Sequence, residues 1–184
     1  LYVLGEAKDK EFQNPYPWFA RIDNKGKLIK SVYPHKDNTS GMLRLIIASN
    51  QRIMLYGNTN DNGKAKPFSI LLNDDGGTNT LNVMAMSYPM IIGDVVPYSN
   101  KKSLIVQSNR NKETGVFNIG LIKADNDKYL PIPFKTLFSD KHELVSKVFL
   151  TKEKNILIAG YKIIDEDFNI KPFIYYLDSL GENL

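Results

Sequence analysis

Carboxylates are the side chains with the densest potential for chemistry in this sequence: Asp74-Asp75, Asp125 with Asp127, and Asp165-Glu166-Asp167. Paired acids serve glycoside hydrolysis, one as proton donor and the other as base or nucleophile. Most of these acids recur at matching places in successive stretches of similar pattern. Turns select Asp and Asn there because the side chain bonds the backbone two residues on. A turn role accounts for them without a reaction. Asn58-Thr59-Asn60-Asp61-Asn62-Gly63 imitates the opening of a calcium loop, with oxygen-bearing residues at alternate positions and Gly sixth. Its twelfth position is Ser69 in place of a bidentate Glu, and three amides bring little charge to a hard cation, so a polar loop is expected.

The other catalytic residue types are sparse. His35 and His142 are too few for a three-histidine zinc site and read as surface groups on loops. There is no cysteine, which removes disulfides, thiolate ligands and a thiol nucleophile. No Ser stands in a Gly-x-Ser-x-Gly elbow, and neither Gly76-Gly77 nor Gly115 follows the strand, glycine loop, helix order that cradles phosphate. No catalytic residue, metal or cofactor is expected. Lysines are dispersed over separate turns (Lys25, Lys27 and Lys30; Lys101-Lys102; Lys152 and Lys154), and the net charge is +4. A nucleic-acid reader gathers its cations with aromatics on one face, so no nucleic-acid partner is expected. No run of eighteen apolar residues is present, so no membrane span is expected either.

The elements that would position any site follow from repetition. A short apolar run ends at Gly5, Gly57, Gln107 and Gly160, spaced 52, 50 and 53 residues apart. A second landmark follows each: Pro17-Trp18-Phe19-Ala20-Arg21-Ile22-Asp23, Pro67-Phe68-Ser69-Ile70-Leu71-Leu72-Asn73, Ile119-Gly120-Leu121-Ile122-Lys123-Ala124-Asp125 and Pro172-Phe173-Ile174-Tyr175-Tyr176-Leu177-Asp178. The third copy lacks the Pro-aromatic pair. Inside each repeat the segments are short, rich in Val, Ile, Tyr and Phe, and bounded by Asn, Asp, Gly and Lys, which is strand grammar. The one helical candidate, Asp140 to Leu150, fits a strand equally well.

Four strands per repeat result; in the second they are 43–48, 52–57, 67–73 and 80–88. Longer polar connections such as Asn58–Lys66 and Lys8–Pro15 join the middle pair. After each Asp or Asn landmark a tight turn is expected, as at Asn24-Lys25-Gly26 and Ser179-Leu180-Gly181. The runs Ile53–Tyr56 and Ile156–Ala159 are apolar at every position, so each must be covered on both faces, as stacked sheets allow.

A repeat of about 50 residues with four antiparallel strands is the pattern of a β-propeller blade. The phrase running from an apolar run and Gly through Pro-aromatic to Asp-x-x-Gly resembles the blades of secreted and cell-surface bacterial propellers of the delta-60 type. Leu4-Gly5 to Gly26 and Ala159-Gly160 to Gly181 carry the match. The expected fold class is all-β: one propeller segment over 1–184, with repeats at about 1–40, 41–90, 91–139 and 140–184. The chain opens on the second strand of one blade and stops after the third strand of another. It is therefore expected to belong to a larger ring of six to eight blades, needing further blades of the same or another chain; a four-bladed ring is the alternative.

The resemblance implies a place outside the cytoplasm and a non-catalytic scaffold for a protein or glycan partner. A fragment of a carbohydrate-active hydrolase or lyase is the alternative. Propellers bind through loops gathered at one end, here 11–16, 60–66, 109–113 and 165–171. The candidate binding residues are Phe12, Tyr16, Asn60, Asp61, Arg110 and Asp167. Trp18, Phe68 and Phe173, at one repeated position, are expected in the core between neighbouring blades.

Overall fold

The computed structural model describes residues 1–7, 16–33, 40–47, 53–61, 64–72, 78–83, 89–125, 131–165 and 169–184. All regular structure among them is β, and every strand pairing is antiparallel. The chain falls into two compact units, 1–85 and 86–184. Among the described residues no helix is long and apolar enough to cross a membrane.

The first unit holds two sheets. One runs β1 (Tyr2–Ala7), β2 (Tyr16–Ile22), β3 (Leu28–Val32); the other runs β4 (Ser40–Ile47), β5 (Ile53–Asp61), β6 (Lys64–Leu72), β7 (Thr78–Val83). Tyr2, Leu4, Phe19 and Val32 of the first pack on Ile53, Leu55, Phe68, Ile70 and Leu72 of the second. The second unit repeats the plan with β8 (Met90–Ser99), β9 (Lys102–Arg110), β10 (Phe117–Asp125) and β11 (Pro131–Leu137), followed by β12 (His142–Leu150), β13 (Ile156–Ile163) and β14 (Ile170–Leu177). Leu104, Val106, Ile119 and Leu121 of its first sheet meet Val145, Val148, Ile156, Ile158, Phe173 and Leu177 of its second. The helical candidate at 140–150 is therefore strand β12.

The turn after β2 and the turn after β14 are the same object. Asp23 Oδ1 accepts from the amides of Lys25 (2.9 Å) and Lys27 (2.8 Å), and Asp178 Oδ1 from those of Leu180 (2.8 Å) and Glu182 (2.9 Å). Gly26 and Gly181, at φ 82° and 84°, take the left-handed conformation that a side chain disfavours. After the turns Ile22 pairs with Leu28, and Leu177 with Asn183.

Glycine has a second use across the central strand pair. Gly5 lies opposite Trp18, Gly57 opposite Phe68 and Gly160 opposite Phe173, so a large ring lies over a bare backbone. A Cβ on Gly160 would run into the Leu144 carbonyl and come within 2.6 Å of the Phe173 ring. In the third repeat the roles reverse, with Gly120 opposite Gln107. Gly120 thus stands where Trp18, Phe68 and Phe173 stand in the other repeats.

Two expectations need correction. The stretch 58–66 is not a polar loop: β5 runs on to Asp61 and β6 begins at Lys64, with Asn60 opposite Ala65 and Asp61 opposite Lys64. Backbone pairing continues there whatever the side-chain polarity. Coverage of β13 is also one-sided: Ile156 and Ile158 are buried, while Leu157 and Ala159 are half-exposed. By contrast β5 buries every residue from Ile53 to Asn58.

Candidate functional site

Where β8, β10 and β12 begin and β13 ends, the second unit opens into a cavity of about 520 Å³. Its wall is Ile91, Val116, Phe117, Leu144, Ile163 and Ile164, and its polar groups are Asp140, Lys141, His142 and Asp165. Each wall segment is set by a local device. The turn before β10 is organised by Asn111, whose Oδ1 accepts from Glu113 N (2.8 Å) and Thr114 N (3.2 Å), delivering Val116 and Phe117. The buried Asn118 accepts from Ser139 N (2.9 Å), and Ser139 Oγ accepts from Lys141 N (3.1 Å), which holds the approach to β12.

His142 and Phe117 form a ring pair 5.8 Å apart at 47°. The Phe117 amide donates to His142 Nδ1 (3.3 Å). An accepting nitrogen carries no proton, so the neutral ring holds its proton on Nε2 and offers a donor. Asp165 accepts from Asn169 through both carboxylate oxygens, Oδ1 from the backbone amide (3.1 Å) and Oδ2 from the side chain (2.8 Å), and so shapes the turn. Asp140 and Asp165 are both exposed at the rim. The set can grip an apolar ring face and engage hydroxyls around it.

Strand alternation separates His142 and Leu144 from Glu143 on the other side of β12. Glu143 is fully buried, and its Oε1 accepts from Tyr175 OH (2.6 Å) and Lys162 Nζ (2.7 Å). Lys162 also donates to the Tyr175 hydroxyl (2.9 Å). Burial alone lowers the Lys162 pKa, but the hydrogen bonds to Glu143 and Tyr175 outweigh it and raise the value. Burial, then the Glu143 bond, raises that of Tyr175. A second buried acid, Asp94, ties the sheets together: it accepts from Val95 N (2.9 Å) and Val148 N (3.0 Å) and pairs with Lys147 (2.9 Å). Sequence reading passed over both acids; their signal is a lone carboxylate inside an apolar strand.

Of the candidate binding residues, none of the described ones lines this cavity. Phe12 and Asp167 lie outside the described residues. Tyr16 opens β2, paired with Ala7, while Asn60 and Asp61 are ladder residues of β5. Arg110 ends β9 and donates through Nε to the Gly115 carbonyl (3.2 Å), bracing the turn beside the cavity without lining it. Among the described residues no cluster of His, Asp or Glu suits a metal ion.

No family model and no curated protein matches the sequence. A solved structure of an α-L-arabinofuranosidase from Podospora anserina in complex with cellotriose is similar in fold, with a TM-score of 0.57 at 11% identity. The likeness covers 100% of this chain, which spans 63% of that protein.

Proposed function

We propose that this chain is a segment of a β-propeller, akin to the secreted and cell-surface bacterial repeats it resembles, that acts outside the cytoplasm and binds a glycan without turning it over. The observation that carries the reading is the cavity at the strand ends. A pocket of this volume suits a few sugar rings. A protein partner instead needs some 800 Å² of surface on each side. Phe117 and His142 supply the faces on which a pyranose packs its C–H groups, and Asp140, Lys141 and the His142 Nε2–H supply partners for its hydroxyls. Both oxygens of Asp165 accept from Asn169, which supports a structural role for this carboxylate. Repeated sheets stacked face to face within each unit, and the likeness to a protein crystallised with cellotriose, support the propeller and the glycan respectively.

Titration of the chain with a panel of plant and bacterial oligosaccharides by calorimetry tests this. One class is expected to bind, and Phe117→Ala is expected to weaken it about tenfold, the loss of roughly 1–1.5 kcal/mol of ring contact. No binding across the panel, or binding that ignores Phe117→Ala, would refute it. The second reading, part of a carbohydrate-active enzyme, draws on the same likeness and on Asp140 at the rim. Release of reducing sugar that disappears in Asp140→Asn would favour it.

A further inference from the structure

One ladder position beside the cavity is completed by a side chain. Phe117 and Arg110 are the terminal pair of the β9–β10 ladder, and the next bond runs from Asn111 N to the Val116 carbonyl (2.7 Å). In an antiparallel ladder this makes Phe117 and Arg110 a non-hydrogen-bonded pair, so the Phe117 amide points away from β9. On that other side β11 pairs with β10 only from Ile119 onward. The imidazole of His142 stands in for the strand acceptor that Phe117 lacks, its Nδ1 accepting the amide at 3.3 Å. Both backbones are fixed next to this bond. Buried Asn118, one residue on, accepts from Ser139 N, and Ser139 Oγ accepts from Lys141 N, one residue before His142.

A strand carbonyl accepts at any pH, but an imidazole nitrogen accepts only while it carries no proton. The imidazolium donates from both nitrogens, and an Nδ1–H set against the Phe117 N–H brings two donors face to face. The charged groups around the ring are Asp140 and Lys141 on the approach to β12, Asp165 after β13, and Arg110 at the end of β9 with its Nε on the Gly115 carbonyl. β8 and the end of β13 bring Ile91, Ile163 and Ile164, which carry no charge. Glu143 lies on the other side of β12, engaged by Lys162 and Tyr175. Carboxylates, ordinarily near about 4, and ammonium groups, near about 10, keep their charge from about pH 7.5 to about 5, whereas imidazole, near about 6.5, changes there.

We propose, resting on the glycan reading of the cavity, that His142 makes binding pH-dependent: neutral, its Nδ1 holds the Phe117 wall in place; protonated from solvent, it releases that wall and affinity falls. The wall is the right one to move. Phe117 carries the ring on which a sugar packs, and its amide is the atom that the proton displaces. The latch itself is a property of the free chain and is open to measurement without a ligand.

Two measurements on the 184-residue chain test the proposal. Without ligand, the Phe117 amide proton followed by NMR is expected to shift together with the His142 ring between about pH 7.5 and about 5, a range that spans the ordinary imidazole value. With cellotriose, or the panel oligosaccharide that binds most tightly, calorimetry over the same range should show affinity about three- to tenfold weaker in acid, the loss of one hydrogen bond. His142→Asn carries an amide oxygen on the same Cγ as Nδ1 and does not titrate, so its affinity, whatever its level, should be flat across the range. His35→Asn removes the other imidazole and should leave the pH response intact. A Phe117 amide indifferent to the titration of His142 overturns the latch and leaves the glycan reading standing. An amide that responds while affinity does not, or a pH response that survives in His142→Asn, overturns the control of binding. Failure of every oligosaccharide to bind at either pH removes the glycan reading, and the control of binding with it, even where the amide responds.

Discussion

The two ends of the second unit are built from the same strands and treated in opposite ways. At the end where β8 and β14 finish, cations cross between the sheets: Lys154 donates to the Tyr98 carbonyl (2.6 Å), Lys123 to that of Ser179 (3.3 Å), and Lys135 pairs with Glu182 (2.6 Å). Lys123 also lies over the Tyr98 and Phe134 rings, 4.6 and 4.3 Å from their centroids. At the other end the bonds between the sheets are made by neutral groups, Phe117 N to His142 Nδ1 (3.3 Å) and Val145 N to Ser108 Oγ (3.2 Å), while Asn111, Asn118 and Asp165 hold the walls. The contrast teaches that cations clamp one end while the end that opens into the cavity is held by neutral hydrogen bonds. Loops held by their own hydrogen bonds can then line a cavity without carrying the stability of the sheet pair.

The strongest challenge to that division is Glu143, which stands near the open end. Glu143→Ala removes the acceptor of Lys162 and Tyr175 and leaves a void, so about 2–4 kcal/mol of stability should be lost, the partial exposure of Lys162 limiting the cost. Denaturant unfolding measures it. If the loss stays below about 1 kcal/mol, the open end does not depend on this cluster and the comparison must be redrawn.

At the closed end Lys154 is the informative residue, because its φ of 70° is left-handed and its ammonium makes a cross-sheet bond of 2.6 Å, as short as that of Lys135. Lys154→Met loses the bond and keeps the strain, costing about 0.5–1 kcal/mol at this exposed site. Lys154→Gly loses the bond and relieves the backbone, so it should be nearly neutral. Equal losses from the two would mean that the strain is immaterial, and glycan affinity should be unchanged in both.

Acid and base should separate the ends further. Lys162 and Tyr175 have raised folded pKa values, so their stabilisation is complete below the ordinary values near 10 and is lost as pH climbs through the folded ones. Asp178, at the closed end, is lowered first by the Glu182 amide, so its contribution is present above the usual aspartate value near 4 and is lost as pH falls through the folded one. Amide shifts followed by NMR should report Asp178, through Leu180 and Glu182, only below the usual aspartate value in acid, and Lys162 and Tyr175 only above their usual values in alkali. Transitions at the ordinary values would break the assignment of stability to these groups.

Much of the fold was legible because it rests on local signals: the Asp-x-x-Gly turns, the period near fifty, and Gly opposite Trp18, Phe68 or Phe173. The site was less so. Arg110 stands at the end of β9 beside the cavity without lining it, and Asp167 lies outside the described residues; a cavity depends on which side chains from β8, β10, β12 and β13 converge, and that is set by sheet stacking rather than by neighbours in sequence. Asn60 and Asp61 misled because a paired strand end has the composition of a loop. Glu143 and Asp94 escaped because a buried acid is marked by its partners, which stand on other strands.

The smallest effects test whether the cavity turn is a unit of its own. Asn111 receives two amides and Arg110 braces one carbonyl, all within the same six residues. Asn111→Ala should cost about 1 kcal/mol and, by loosening the backbone that carries Val116 and Phe117, weaken glycan binding a few-fold. Arg110→Ala, an exposed single bond, should cost about 0.5 kcal/mol or less and leave affinity within twofold. A larger loss of affinity from Arg110 than from Asn111 would put the guanidinium on the ligand, and would move the binding surface from the cavity wall out to the loop tips that the sequence first suggested.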